Sequence, residues 1–217
     1  MQNKGVKRGV IFLLILSLLT VGGVENVTRC EAKTTRQQAI RLYRNMLQKE
    51  NILLQIQGSK YKTTYKRDDQ ITFSLVDVDR DGVPELYVRH TDMQLGLAVT
   101  EIIYYVSHGR VYGLTTGHGG FLKYKKSNII YDESFQMGVM GKGYYQLKNG
   151  RVVTLAESTV VEMGPGKDSY YIGKKKVSKK KYKAYVKKIT KKDKFDPSFV
   201  HAEEHLITDE NIETYIK

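Results

Sequence analysis

Beyond residue 33 the apolar positions follow two periods, one helical and one alternating. Thr34 and Thr35 each stand three residues before a glutamine (Gln37, Gln38), a capping-box pattern, and Ala39, Ile40, Tyr43, Met46 and Leu47 then recur at helical spacing. That spacing predicts a first helix of about 14 residues. Residues 57–69 are polar and read as a loop. From residue 71 the period changes. Ile71-Thr72-Phe73-Ser74-Leu75-Val76 alternates apolar with small polar residues and reads as a strand, as does Leu86-Tyr87-Val88-Arg89. Residues 97–107, 111–116, 121–125, 129–131, 143–147 and 152–154 are further strand candidates. A Tyr-Tyr pair leads to a glycine-containing turn three times, at Tyr104-Tyr105, Tyr144-Tyr145 and Tyr170-Tyr171. The unequal spacing of these copies predicts a meander and not a solenoid. After the third copy the period returns to helical: Ser178 is an N-cap, and Tyr182, Tyr185, Val186 and Ile189 make one apolar face. A last helix is expected over 209–216, capped by Thr208, with Ile207 stapled onto Ile212. The pattern predicts an α+β fold, an antiparallel, tyrosine-rich meander with an N-terminal helix and C-terminal helices.

The segment before this domain has a different composition. Lys4, Lys7 and Arg8 precede an apolar run over 10–19 that is shorter than a membrane span, which reads as a secretory signal peptide over 1–32. A cut after Ala32 fits the small residues near it, and Arg29 before Cys30 spoils a lipidation site. The mature chain, 33–217, is then one domain without cysteine. That excludes a thiol nucleophile, a thiolate zinc site and disulfide staples. The expected location is secreted, extracellular and associated with the cell wall.

The charge is local. The whole chain carries +13, and residues 174–194 alone hold twelve lysines against one aspartate. On a helix over 178–192, Lys179, Lys180, Lys183, Lys187, Lys188 and Lys191 form a candidate polyanion-binding face for an anionic cell-wall polymer or glycan. Without arginine to fork onto bases or phosphates, nucleic acid is not an expected partner, and binding should be diffuse and salt-sensitive. Sixteen tyrosines and no tryptophan give a sheet able to contact sugars, although packing explains most of those rings.

The most specific chemistry lies in Asp77-Val78-Asp79-Arg80-Asp81-Gly82-Val83-Pro84-Glu85. Asp77, Asp79, Asp81 and Glu85 stand at positions 1, 3, 5 and 9, Gly82 supplies the turn at position 6, and the Val83 carbonyl completes the set at position 7. Hard oxygen ligands at this spacing suit Ca²⁺. Position 12 is Val88 where an EF-hand has glutamate, and both flanks read as strands, so the unit is a strand–loop–strand hairpin over 71–90. It resembles the calcium loops of FG-GAP/VCBS-type extracellular repeats, used once. Together, the signal peptide, this hairpin and the Tyr170–Lys188 segment resemble a class of small exported proteins of Gram-positive, clostridial-type bacteria. The resemblance implies export and Ca²⁺ and names no substrate.

Other motifs carry less. His201-Ala202-Glu203-Glu204-His205 fits an inverted zinc-protease pattern, but only twelve residues follow and no suitable third ligand lies among them, so a solvated polar helix face is expected. The glycine clusters at 117–120 and 138–143 match no phosphate-binding loop, Ser107-His108 is a neighbour pair at a hairpin end, and Asp132-Glu133 lacks a second half. The expected function is non-enzymatic, an exported calcium-binding module in which Ca²⁺ is mainly structural; a secreted hydrolase is the alternative.

Overall fold

The computed structural model describes residues 34–217 apart from 61, 69, 93–97, 117–118, 164–165 and 201. The signal-peptide reading of 1–32, Gly117, His118 and His201 fall outside the described residues. Helix α1 (Arg36–Leu47) is followed by β1 (Asn51–Gln55), β2 (Lys62–Lys66), β3 (Ile71–Val76), β4 (Glu85–Asp92), β5 (Ala98–Ser107), β6 (Arg110–Thr115), β7 (Gly119–Lys123), β8 (Ile130–Gln136), β9 (Val139–Lys148), β10 (Arg151–Val161), β11 (Ser169–Ile172) and β12 (Lys175–Lys176). Helices α2 (Lys179–Ile189) and α3 (Pro197–Val200), strand β13 (His205–Leu206) and helix α4 (Asp209–Tyr215) complete the chain. The fold is α+β and its sheets are antiparallel.

Two meanders form the body. One sheet has the order β13-β3-β4-β5-β6 and the other β12-β11-β10-β9-β8-β7, while β1 and β2 pair as a separate ribbon. The period-2 alternation sends successive residues of one strand to opposite layers. On β4 and β5, Leu86, Val88, Ile102, Tyr104 and Val106 face a core shared with α1 and α4, whereas Tyr87 and Ile103 face Phe121 and Ile130 of the second sheet. On β8 and β9, Tyr131 and Tyr144 turn the other way, into a third core under Tyr182 of α2. The layers therefore run helix, sheet, sheet, helix. All residues of the three cores lie between Ala39 and Ile216, and residues 33–217 form one compact unit.

The helix ends follow the sequence signals. Thr35 and Gln38 make a reciprocal capping box on α1, Ser178 caps α2 and Thr208 caps α4. Arg44 reaches across from α1 to donate to the carbonyl of Ile216 at the end of α4, satisfying an orphan acceptor of that helix. The polar segment 57–69, read as a loop, contains β2: Tyr65 and Thr63 pair with Ile52 and Leu54, so this edge ribbon is held by a partner that polar composition hid. The segment 202–205 is not the helix face expected of it. Residues 202–204 have no regular structure and His205 lies in β13, stacked on Tyr215 with ring centroids 3.4 Å apart. Among the described residues no helix is long and apolar enough to cross a membrane.

Candidate metal centre

The acidic loop connects β3 to β4, whose register pairs Val76 with Glu85 and Leu75 with Leu86. Two valines pin it from opposite sides: Val78 is buried in the inter-sheet core and Val83 packs against the core under α1. Between these anchors the backbone turns at Arg80 (φ 62°) and Gly82 (φ 85°), left-handed conformations for which glycine at the second position carries no Cβ penalty. The polar groups then fold inward. The Asp81 N–H donates to Asp77 Oδ1 at 3.1 Å and to Asp79 Oδ1 at 3.3 Å, and the Gly82 N–H donates to Asp77 Oδ2 at 3.1 Å.

These turns bring oxygens of Asp77, Asp79 and Glu85 within 4.8 Å of one another. Asp81, the fourth carboxylate of the sequence motif, is not in that group; its Oδ1 accepts the Val83 N–H at 2.8 Å. Glu85 is the floor of the cluster. Only 4 % of its surface is exposed, and its Oε2 accepts the Val78 N–H at 2.8 Å, tying the two ends of the loop together. Burial, and then the charges of Asp79, Asp81 and Asp77, push the Glu85 carboxyl up to about 9, with the Val78 N–H opposing. The same field reaches Tyr43 on α1, whose hydroxyl is raised first by its burial and then by Glu85, Asp81 and Asp79. Tyr43 donates to the Tyr104 carbonyl at 3.2 Å, so its ring is fixed against the sheet that carries the loop.

The second sheet clamps the loop from outside. Asn128, in the β7–β8 connection, donates its amide to the Asp79 carbonyl at 3.0 Å, and Arg80 donates to the Lys125 carbonyl. Arg80 and Lys123 each approach Asp196 at 3.9 Å. Lys123 is buried, which lowers its pKa, and the Arg80 charge lowers it further against the pull of Asp196, Asp77 and Glu85. Tyr43, Lys123, Asn128 and Asp196 were not legible as parts of this site. They lie 34 residues or more from Asp77 in sequence, and their types alone mark no metal chemistry.

The convergent oxygens are hard, anionic and few. Such a set can hold a hard divalent cation, with further positions left for carbonyls or water. A cavity of about 430 Å³ beside the loop is lined by Ser74, Asp77, Ser198, Glu203, His205 and Tyr215. Yet the Ser74 Oγ is buried without a hydrogen-bond partner and the Ser198 Oγ donates to Asp196 Oδ1 at 2.7 Å, so neither hydroxyl is paired with His205 as a nucleophile with its base. Ser107 and His108 do touch, at 2.8 Å, as neighbours on the β5–β6 turn. Asp132 and Glu133 point to opposite faces of β8, as strand alternation requires.

The helix expected over 178–192 ends earlier, at Ile189 with Thr190 as its C-cap, so five of the six candidate lysines lie on α2 and Lys191 lies in the turn that follows it. Only Tyr182 of α2 is fully buried, with Tyr185, Val186 and Ile189 half-buried against the third core. Lys179, Lys180, Lys183, Lys187, Lys188 and Lys191 are all exposed. Lys179 pairs with Asp168 at 3.7 Å and lies 5.8 Å above the centre of the Tyr170 ring. The chain matches no family model, no curated protein and no solved structure.

Proposed function

We propose that this protein is an exported, non-enzymatic binding module whose β3–β4 hairpin is braced by one Ca²⁺. The observation that carries the reading is the convergence of Asp77, Asp79 and Glu85 within 4.8 Å, with Glu85 buried beneath the two aspartates. With Glu85 ionised the three carboxylates repel one another, and a divalent cation among them displaces the Glu85 proton and turns that repulsion into cross-links between the end of β3, the loop and the start of β4. In this reading Asp77, Asp79 and Glu85 hold the ion, the Val83 carbonyl adds a ligand, and Asp81 orders the loop through its bond to the Val83 N–H. Asn128 and Tyr43 support the loop from its two sides. Calcium outside cells is abundant enough to fill even a weak site. The exposed lysines of α2 supply the binding half of the function, an electrostatic attachment to an anionic component of the cell envelope.

Thermal unfolding of residues 33–217 with Ca²⁺ and with EDTA tests the metal reading, beside an Asp77→Asn/Asp79→Asn variant. Stabilisation by Ca²⁺ that the variant lacks supports it. An identical response in both proteins, or none in either, removes calcium from the function.

A further inference from the structure

Among the described residues three hairpins use the same tight turn, and one of them breaks its chemistry. His108-Gly109, Met137-Gly138 and Asn149-Gly150 each join two paired strands through two residues of positive φ (52° and 70°, 48° and 77°, 52° and 62°). This is the type I′ geometry, in which the first position suits Asn, Asp or Gly, and His108 and Asn149 are polar and exposed as expected. Met137 is the exception. A long apolar side chain occupies a left-handed position that disfavours it, and 89 % of its surface is exposed.

It does not stand alone. Phe135 on the same hairpin is 51 % exposed and Met163, just past β10, is 66 % exposed. The N–H groups of Glu162 and Met163 both donate to the Gly138 carbonyl, at 2.8 and 3.3 Å, and a Cβ on Gly138 would stand 2.8 Å from the Met163 Cβ. The three apolar residues therefore share one end of the second sheet. The cationic helix starts at that same end: Asp168 accepts the N–H of Val161, which pairs with Val139 beside the turn, and Asp168 also holds Lys179. All twelve lysines of residues 174–194 are exposed.

An apolar projection beside a dense lysine field fits one partner better than a soluble polyanion. Polymers and glycans would reward the charge and leave Phe135, Met137 and Met163 in water. An anionic lipid bilayer rewards both, with ammonium groups among the headgroups and the apolar tip at the acyl boundary. We infer that the β8–β9 turn, with Met163, is a membrane-docking tip that inserts into anionic lipid surfaces under guidance from the lysines of α2. This rests on the reading of α2 as an anionic-surface contact and is independent of the calcium site.

The chain has no tryptophan, so a single one reports its own position. Residues 33–217 carrying Met137→Trp are mixed with phosphatidylcholine vesicles with and without phosphatidylglycerol; Phe135→Trp serves as a second reporter should the turn not accept the first. The expected result is emission shifted to shorter wavelength, and quenching by brominated acyl chains, on the anionic vesicles only. Replacing Lys180, Lys183 and Lys187 with glutamine should weaken vesicle binding about a hundredfold. Met137→Ser should weaken it on the order of tenfold. Vesicle binding with an unshifted reporter would overturn the docking tip. Retention on heparin without vesicle binding would overturn the lipid partner and keep the polyanion attachment. Binding to neither would remove both.

Discussion

Replacing Glu85 with glutamine should have opposite consequences with and without metal. Glutamine keeps the shape and the acceptor for the Val78 N–H while removing the charge. In EDTA the native Glu85 carboxyl sits at about 9 against an ordinary 4.5. A raised carboxyl pKa means that the folded state holds the proton more tightly than the unfolded chain. Stability is therefore lost as pH rises from 4.5 towards 9, and is unaffected well below 4.5. At about pH 7.5 that loss is at most about 4 kcal/mol, from three pH units at 1.36 kcal/mol each. Glu85→Gln should recover much of it, so the metal-free variant should be the more stable protein at neutral pH and equal to the native one near pH 4. Calcium should narrow the difference. An ion at about a hundred times its dissociation constant adds roughly 2.7 kcal/mol to a protein that binds it. The native protein should show that gain and the variant little of it. Urea unfolding of both proteins, with EDTA and with Ca²⁺, at about pH 4 and pH 7.5, reads every part. A variant less stable than the native protein in EDTA at neutral pH would show that protein groups alone satisfy the Glu85 charge. Equal calcium gains in the two proteins would show that Glu85 is not a ligand.

Asn128→Gly keeps the left-handed backbone of that residue (φ 52°) but removes the donor to the Asp79 carbonyl, and calorimetric titration should show calcium affinity down by about tenfold. Asp132 lies between the sheets with a buried Oδ1 that has no partner; its pKa is pushed up to about 6 by burial, then by Glu101 and Glu133. Its stability contribution is therefore lost as pH rises from 3.8 through about 6. Asp132→Asn should raise the neutral-pH unfolding free energy by on the order of 1–2 kcal/mol, allowing for its partial solvation, and should flatten the profile across that window. A Cβ on Gly113 would stand 2.3 Å from the Cδ1 of the buried Leu54 and 3.1 Å from the Cγ2 of the buried Ile102. Gly113→Ala should cost roughly 1–3 kcal/mol in chemical denaturation, where an unchanged midpoint would show that the β1 ribbon shifts freely.

What could be read from the chain followed the range of the interactions. The capping box of α1, the N-caps of α2 and α4 and the helical faces of α1 and α2 depend on residues a few positions apart, and each was written locally, the caps in Thr35, Ser178 and Thr208. The alternating strands were legible for the same reason. Alternation does not say how many sheets there are, though. A run such as Tyr104-Tyr105 is apolar at both positions because both faces of β5 are covered, and only the partner strands reveal two stacked meanders. Segment 62–66 escaped notice because its polar residues belong to an edge ribbon, where pairing with β1 and not burial holds the strand.

The acidic loop divides along the same line. Its spacing named Asp77, Asp79 and Glu85, but spacing alone could not separate them from Asp81, whose carboxylate turns to the Val83 N–H. The supports contributed by Tyr43, Lys123 and Asn128 arrive from other layers of the fold. The lysine field was plain in composition, whereas the apolar tip next to it was not: Phe135, Met137 and Met163 look like ordinary strand residues until their exposure is known.

The most direct test of a calcium-braced hairpin is to count the ion. Residues 33–217, stripped with chelator and titrated with Ca²⁺ in a calorimeter, should bind one ion per chain, and Asp79→Asn should abolish or strongly weaken that binding. A flat titration of the stripped native protein, with its fold intact by circular dichroism, would contradict the metal reading and leave Asp77, Asp79 and Glu85 as a polar turn over a protonated buried acid.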